Sequence, residues 1–217
     1  MFTMPAPPAP RAYSRAEYVS DAAVHVAGLA AALGGVPVLI VLAALLRGDA
    51  AAVAGVAVYG ATLLAMLSCS ALYNMVGRGD WAWLLRRLDH AAIYLKIAGT
   101  YTAFVAVTGQ GVPLMAGLWA AALAGVSLKA VSPARFRTAA LALYLGMGWA
   151  GVLLGGALFG ALAAPVIVLM GVGGGLYTAG VAFYLWKRLP FHNTIWHGFV
   201  LAATGVFYAA VLVAVVG

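Results

Sequence analysis

Charge is scarce in this sequence, and acidic charge scarcer still. Charged residues make up 8% of the 217, and Asp and Glu together number 5. A water-soluble domain of this length needs a largely polar exterior, so that class is excluded. Cysteine is almost absent too: Cys69 stands alone, and no intramolecular disulfide can form. Apolar and polar residues nowhere alternate over successive short segments, which excludes a closed β-barrel. The opening fifteen residues are Pro-rich and lack the apolar stretch of a secretory signal. Residues 1–20 are therefore expected to form a flexible cytoplasmic tail, and residues 21–217 a single membrane domain. The net charge of +7 is not gathered into a run or stripe of basic residues, so a nucleic-acid partner is excluded.

What remains is apolar. Hydrophobic residues reach 65% and the mean hydropathy is +1.04. Crossing a hydrocarbon core of about 30 Å takes about 20 apolar residues in a helix. Seven blocks qualify, at residues 22–46, 50–72, 88–108, 112–128, 138–158, 162–186 and 194–216. Residues 138–186 carry no charge, yet as one helix they would run about 70 Å. A turn at Phe159, Gly160 and Ala161 is expected to divide them. The fold class is thus all-α, a polytopic bundle of seven transmembrane helices.

Basic residues orient the bundle. Arg11, Arg15, Arg78, Arg86, Arg87, Lys129, Arg135, Arg137, Lys187 and Arg188 fall at one end of the spans, and Arg47 alone at the other. The positive-inside rule then puts the N-terminus in the cytoplasm of a cell membrane and the C-terminus outside.

Ionisable groups in spans are costly and mark function by default. Glu17, Asp21 and His25 open the first helix at four-residue spacing and share one face. Ser70 and Asn74 close the second span, Asp89 and His90 open the third, and His192, Asn193 and His197 open the seventh. Lys96 stands two turns deeper than Asp89. Singly, each has a structural explanation: a helix cap, an interhelical hydrogen bond worth about 1 kcal/mol, or a backbone-bonded histidine. Together, four helices place polar groups at one depth while their outer halves place almost none, and that coincidence defines a candidate site.

The segments Ser70-Ala71-Leu72-Tyr73-Asn74, Leu88-Asp89-His90-Ala91-Ala92-Ile93-Tyr94, Ala98-Gly99-Thr100-Tyr101-Thr102 and Pro190-Phe191-His192-Asn193-Thr194-Ile195-Trp196-His197-Gly198-Phe199-Val200 resemble the hemolysin III branch of the progestin and adipoQ receptor family. The opening Glu17, Asp21 and His25 look like a variant of that family's acidic start. The resemblance implies seven spans with a cytoplasmic N-terminus, and a zinc ion held by three histidines. It places Asp89 and Ser70 beside a water that zinc activates for attack on a lipid amide carbonyl. Here Asn74 and Asn193 replace two of the three ligands, and only His197 matches the set. His192, one residue from the ligand position, is turned by about 100° on a helix.

Three functions follow. The first is a non-catalytic membrane protein of hemolysin III type, in which the cluster is structural or senses a ligand and a cytolytic or lipid-related role is implied by the resemblance alone. The second is a zinc-dependent lipid-amide hydrolase with Asp89 as base, Ser70 positioning water and His197 on the metal. The third is a proton- or ion-coupled transporter using Glu17, Asp21, Asp89 and Lys96 as a relay. Membrane lipids are the expected partners in each.

Overall fold

A computed structural model of the chain describes residues 13–77, 79–131 and 136–217. Most of the expected tail, together with Arg78 and Arg135 from the charge count, lies outside them. Helix α1 (Arg15–Leu46) begins well before residue 22. A reciprocal cap fixes that start: Ser14 Oγ accepts from the Glu17 N–H at 3.2 Å, and Glu17 Oε2 accepts from the Ser14 N–H at 2.8 Å. The tail's boundary moves back accordingly, because residues 15–20 are helical.

Asp49 caps α2 (Ala50–Ala71), accepting from the Ala52 N–H at 2.7 Å. The helix then widens into a π-type turn at Leu72–Val76. Such turns recur at functional sites because they re-aim side chains; this one carries Tyr73 and Asn74. Helix α3 (Ala82–Thr108) ends at Gly109, whose φ of +67° is the left-handed cap that glycine tolerates. Then follow α4 (Val112–Val131), α5 (Arg137–Leu154), a short α6 (Gly156–Ala161), α7 (Ala164–Leu185) and α8 (His192–Val216).

The uncharged stretch divides twice, not once at Phe159–Ala161. It breaks at Gly155 and again at Leu162 and Ala163, with α6 between. Glycine is a poor helix former, and Pro165 is tolerated only in the first turn of a helix, so these positions break the chain and Phe159 does not. Seven helices are long and apolar enough to cross a membrane.

Successive helices from α1 to α6 pack as neighbours, and α8 packs against both α7 and α1. Helix α3 lies deepest, touching α2, α4, α5, α6 and α8. The core runs along it through Tyr94, Ala98, Tyr101, Ala103 and Phe104. Close approach depends on small residues: Gly125 of α4 lies flat on the Tyr94 ring, and Gly99 of α3 lies against Thr62 of α2. The outside is apolar as well, with Leu33, Leu45, Leu153 and Val168 exposed on α1, α5 and α7. Lipid is the solvent for that surface.

Candidate functional site

The ends of α1, α2, α3, α4, α5, α7 and α8 on one side of the bundle enclose a chamber of about 500 Å³. Helix α1 turns one face into it. Glu17, Asp21 and His25, four residues apart, are each under 9% exposed. Helix α8 answers with His192, Asn193 and His197. His197 Nδ1 donates to Asp21 Oδ1 at 2.6 Å, a charge-assisted bond buried between the two helices. His25 Nε2 lies 3.6 Å from Asp21 Oδ2, and the His25 and His197 rings are 4.5 Å apart between centroids. One donor atom from each of Asp21, His25 and His197 falls within 4.8 Å of the others.

The start of α1 is fastened to the start of α8. Glu17 Oε1 accepts from the Phe191 N–H at 2.8 Å, Ser20 Oγ and Thr194 Oγ1 hydrogen-bond at 2.9 Å, and the Tyr13 hydroxyl meets His192 Nε2 at 2.7 Å. Phe191, the residue before α8, has φ +59°, a left-handed conformation that a bulky side chain adopts only under constraint. The Glu17 carboxylate on its amide supplies part of that constraint.

Other expected residues share the chamber without joining the triad. Asn74 Nδ2 donates to the Ser70 carbonyl at 2.9 Å and reaches Ser70 Oγ at 3.4 Å, so the pair is bonded within its own helix. Asp89 Oδ2 and His90 Nδ1 are 3.3 Å apart on α3. Ser70, Asn74, Asp89, His90 and Asn193 all line the cavity wall. Among the described residues, no hydrogen bond joins Asn74 or Asn193 to Asp89. Lys96 is the departure from the expected cluster. It lies deeper, 2% exposed, with Nζ 4.7 Å from the Tyr177 ring centroid and 4.8 Å from that of Phe207, beside a separate cavity of about 40 Å³. Distance along α3 puts it there, two turns from Asp89.

Sequence reasoning missed two features. It assigned metal-ligand character to His197 alone, although the four-residue spacing of Asp21 and His25 was the signal for partners on α1. It also read Arg86, Lys129, Arg137 and Lys187 as loop charges, whereas all four line the chamber. No signal in the sequence separates them from their neighbours Arg87 and Arg188, which do not.

Seven spanning helices around a polar chamber at one end define a polytopic membrane protein with an internal ligand-sized site. The haemolysin-III related family model matches residues 15–208. The chain is 32% identical over 199 residues to the hemolysin-3 homolog of Bacillus subtilis (strain 168), covering 90% of this chain and 93% of that protein. It is 36% identical over 201 residues to hemolysin-3 of Bacillus cereus, covering 90% of each. This chain belongs to the haemolysin-III related family, and is an integral membrane protein of that type.

Proposed function

We propose that the chamber is a metal-dependent site for an amphipathic ligand, with Asp21, His25 and His197 as donors and hydrolysis of a lipid acyl bond as its chemistry. One observation carries this reading: three side chains of metal-binding type converge within 4.8 Å at the wall of a cavity large enough for a ligand. The donor set fits the zinc that the family implies. Two imidazoles and a carboxylate are ordinary zinc donors, and three protein donors leave a position open, as catalytic sites do. His25 Nε2 is buried with no hydrogen-bond partner, a cost of about 1–3 kcal/mol that a bound ion would remove. Asn74 and Asn193, which stand where the family places histidines, are poor substitutes; the replacement donors come from α1.

Zinc held there supplies Lewis acidity, polarising an acyl carbonyl and bringing the pKa of water toward neutrality. The protein's own groups divide the remaining work. The Asp89 carboxylate is the base available in the chamber to hold a proton. The Ser70 hydroxyl, within reach of the Asn74 amide, orients a polar group of the ligand. Ile93, Leu67 and Val200 line the same cavity and exclude water from the acyl portion. The chamber opens toward the cytoplasm; the concentration of basic residues at that end supports this orientation.

The Asp21–His197 hydrogen bond favours a second reading, in which the cluster is a metal-free latch between α1 and α8 and the protein is non-catalytic. A metal held through His197 Nδ1 would displace the proton there and break the latch, whereas one held through Nε2 would leave it in place. Elemental analysis distinguishes the two readings. Full-length protein from zinc-supplemented cells, purified in neutral detergent, is expected to hold stoichiometric zinc. His25→Ala and His197→Ala lose it, whereas Asn74→Ala and Asn193→Ala keep it. A metal-free wild type, or zinc that survives both histidine substitutions, overturns the metal reading in favour of the latch.

A further inference from the structure

We infer that the ligand of this chamber is a lipid bearing a phosphate, whose head group is held by Arg86, Lys129, Arg137 and Lys187. The inference rests on reading the chamber as a ligand site and names the class of molecule that enters it. The four cations come from α3, α4, α5 and the segment after α7, and all four line the cavity. Helices α4 and α5 pack on each other and on α3, whereas α1 packs on α2 and α8. Arg86, Lys129 and Arg137 therefore occupy the wall across from Asp21 and His25. The chamber has an anion-binding side and an imidazole–carboxylate side.

Topology alone does not produce this arrangement. The positive-inside rule asks only for basic residues near the ends of spans, not for their heads to share a cavity. Neighbouring residues show the difference. Arg87 spends its guanidinium on the Ala130 carbonyl at 2.9 Å and the Trp83 carbonyl at 3.2 Å, bracing α3 against the end of α4. Arg86, beside it, lines the chamber. The Arg137 guanidinium lies 5.8 Å from the Tyr184 ring centroid, a contact that leaves its hydrogen-bonding edge available.

Four of the chain's five carboxylates are committed elsewhere, and the fifth, Asp80, is exposed in the turn before α3. Asp49 caps α2 at the opposite end, Glu17 accepts from the Ser14 and Phe191 amides, and the ion pairs of Asp21 and Asp89 are to histidines. Among the described residues, Arg86 and Lys187 make no ion pair with a carboxylate. Two guanidinium forks beside two amines suit a phosphate, which accepts paired hydrogen bonds from arginine and point charge from lysine. Depth agrees. Trp81, Trp83 and Trp186 are exposed at this end of the bundle, as aromatic residues are at head-group level. The chamber's own apolar lining, Leu67, Ile93 and Val200, offers a surface to the apolar part of such a molecule.

The test is binding by calorimetry to full-length protein in non-ionic detergent. The probes are lysophosphatidic acid, a monoacylglycerol of the same chain length, and inorganic phosphate. Lysophosphatidic acid is expected to bind at least about tenfold more tightly than the monoacylglycerol, the scale of one charge-assisted hydrogen bond, with inorganic phosphate a weak competitor. Arg137→Ala and Lys187→Ala each lose about tenfold toward lysophosphatidic acid and nothing toward the monoacylglycerol, while Arg188→Ala behaves as wild type. Using two cavity variants keeps the test alive if one misfolds. Equal affinity for the charged and uncharged lipids overturns the inference. So does an equal loss in Arg188→Ala, which would mean a diffuse field, or inorganic phosphate binding as tightly as the lipid, which would mean a soluble anion. Zinc content measured on the same samples separates the two readings. Zinc with charge-blind lipid binding overturns the phosphate side alone; phosphate-dependent binding without zinc overturns the metal centre alone.

Discussion

Replacing Asp21 by Asn changes one oxygen for an amide nitrogen and removes a charge, with no change in shape. In the metal-free protein the carboxylate accepts from His197 Nδ1 at 2.6 Å and faces His25 Nε2 at 3.6 Å. The Asn carbonyl can still accept from His197, so the loss is that between a charge-assisted and a neutral hydrogen bond, about 1–2 kcal/mol. The effect on the metal-bound protein is larger. A structural zinc contributes about 10–16 kcal/mol over about four ligands, so one anionic donor accounts for about 2.5–4 kcal/mol, or about 10²- to 10³-fold in affinity. At zinc 100 times the wild-type Kd, the wild type gains about 2.7 kcal/mol from binding. A variant weakened about 100-fold then gains only RT ln 2, about 0.4 kcal/mol. Thermal unfolding in detergent, with and without zinc, reads this directly: the zinc-induced rise in Tm should nearly vanish in Asp21→Asn, while the Tm without zinc falls modestly. A zinc-induced rise that persists at wild-type size would show that Asp21 is no ligand and would refute the argument. A large fall in the metal-free Tm with no zinc effect in either protein would support the latch.

Gly125→Ala should destabilise the bundle by about 1–3 kcal/mol, because its Cβ would sit 2.6 Å from the Tyr94 ring, which is pinned by its hydroxyl's 2.8 Å bond to the Ala140 carbonyl. Gly117→Ala, with nothing within 4 Å, should stabilise by up to about 1 kcal/mol through helix propensity. Unfolding in graded SDS measures both, and equal effects would show that the close approach of α3 and α4 is not tight. Lys96→Met should raise the Tm: contact with two rings returns about 2 kcal/mol, less than the several that burying the charge costs, and apolar replacement of buried charges commonly stabilises by about 1–4 kcal/mol. A fall in Tm would mean that Lys96 holds a structural partner beyond Tyr177 and Phe207.

The bundle was legible because its signal is additive. Each span repeats the same message of about 20 apolar residues, and the alternation of basic residues checks the count. Helix ends were less legible, since α3 starts at Ala82 rather than 88 and α1 at Arg15 rather than 22. Hydropathy marks where lipid begins; a helix ends where its caps are. Trp81, Trp83, Arg86 and Arg87 lower hydropathy while remaining good company for a helix at the interface. The site was legible as a depth but not as a set of pairings. Spacing placed Asp21 and His25 on one face of α1, and Asn193 and His197 on one face of α8. Which faces meet depends on the rotation of each helix about its axis, and that is set by packing such as Gly28 of α1 against Leu201 of α8.

That rotation bears on how the chain tolerates asparagine where its family pattern has histidine. The π-type turn at Leu72–Val76 occupies the stretch holding Asn74, and there the amide bonds back to Ser70 instead of reaching across the chamber. A ligand at that position would have to point away from its own helix. On α8, His192 is drawn to Tyr13, and among the described residues Asn193 makes no hydrogen bond to Asp21 or His25, so His197 is the α8 side chain that joins them. Helix α1 then completes the set because Ser14 and Glu17 extend it a full turn and more beyond the hydrophobic block, and Glu17 fastens that extension to Phe191. Without the extension Asp21 would lie at a fraying end, too mobile to hold a donor within 4.8 Å of two others. The capping box at the very start of the described chain is therefore a requirement of the site, several residues away from any group that would touch a metal.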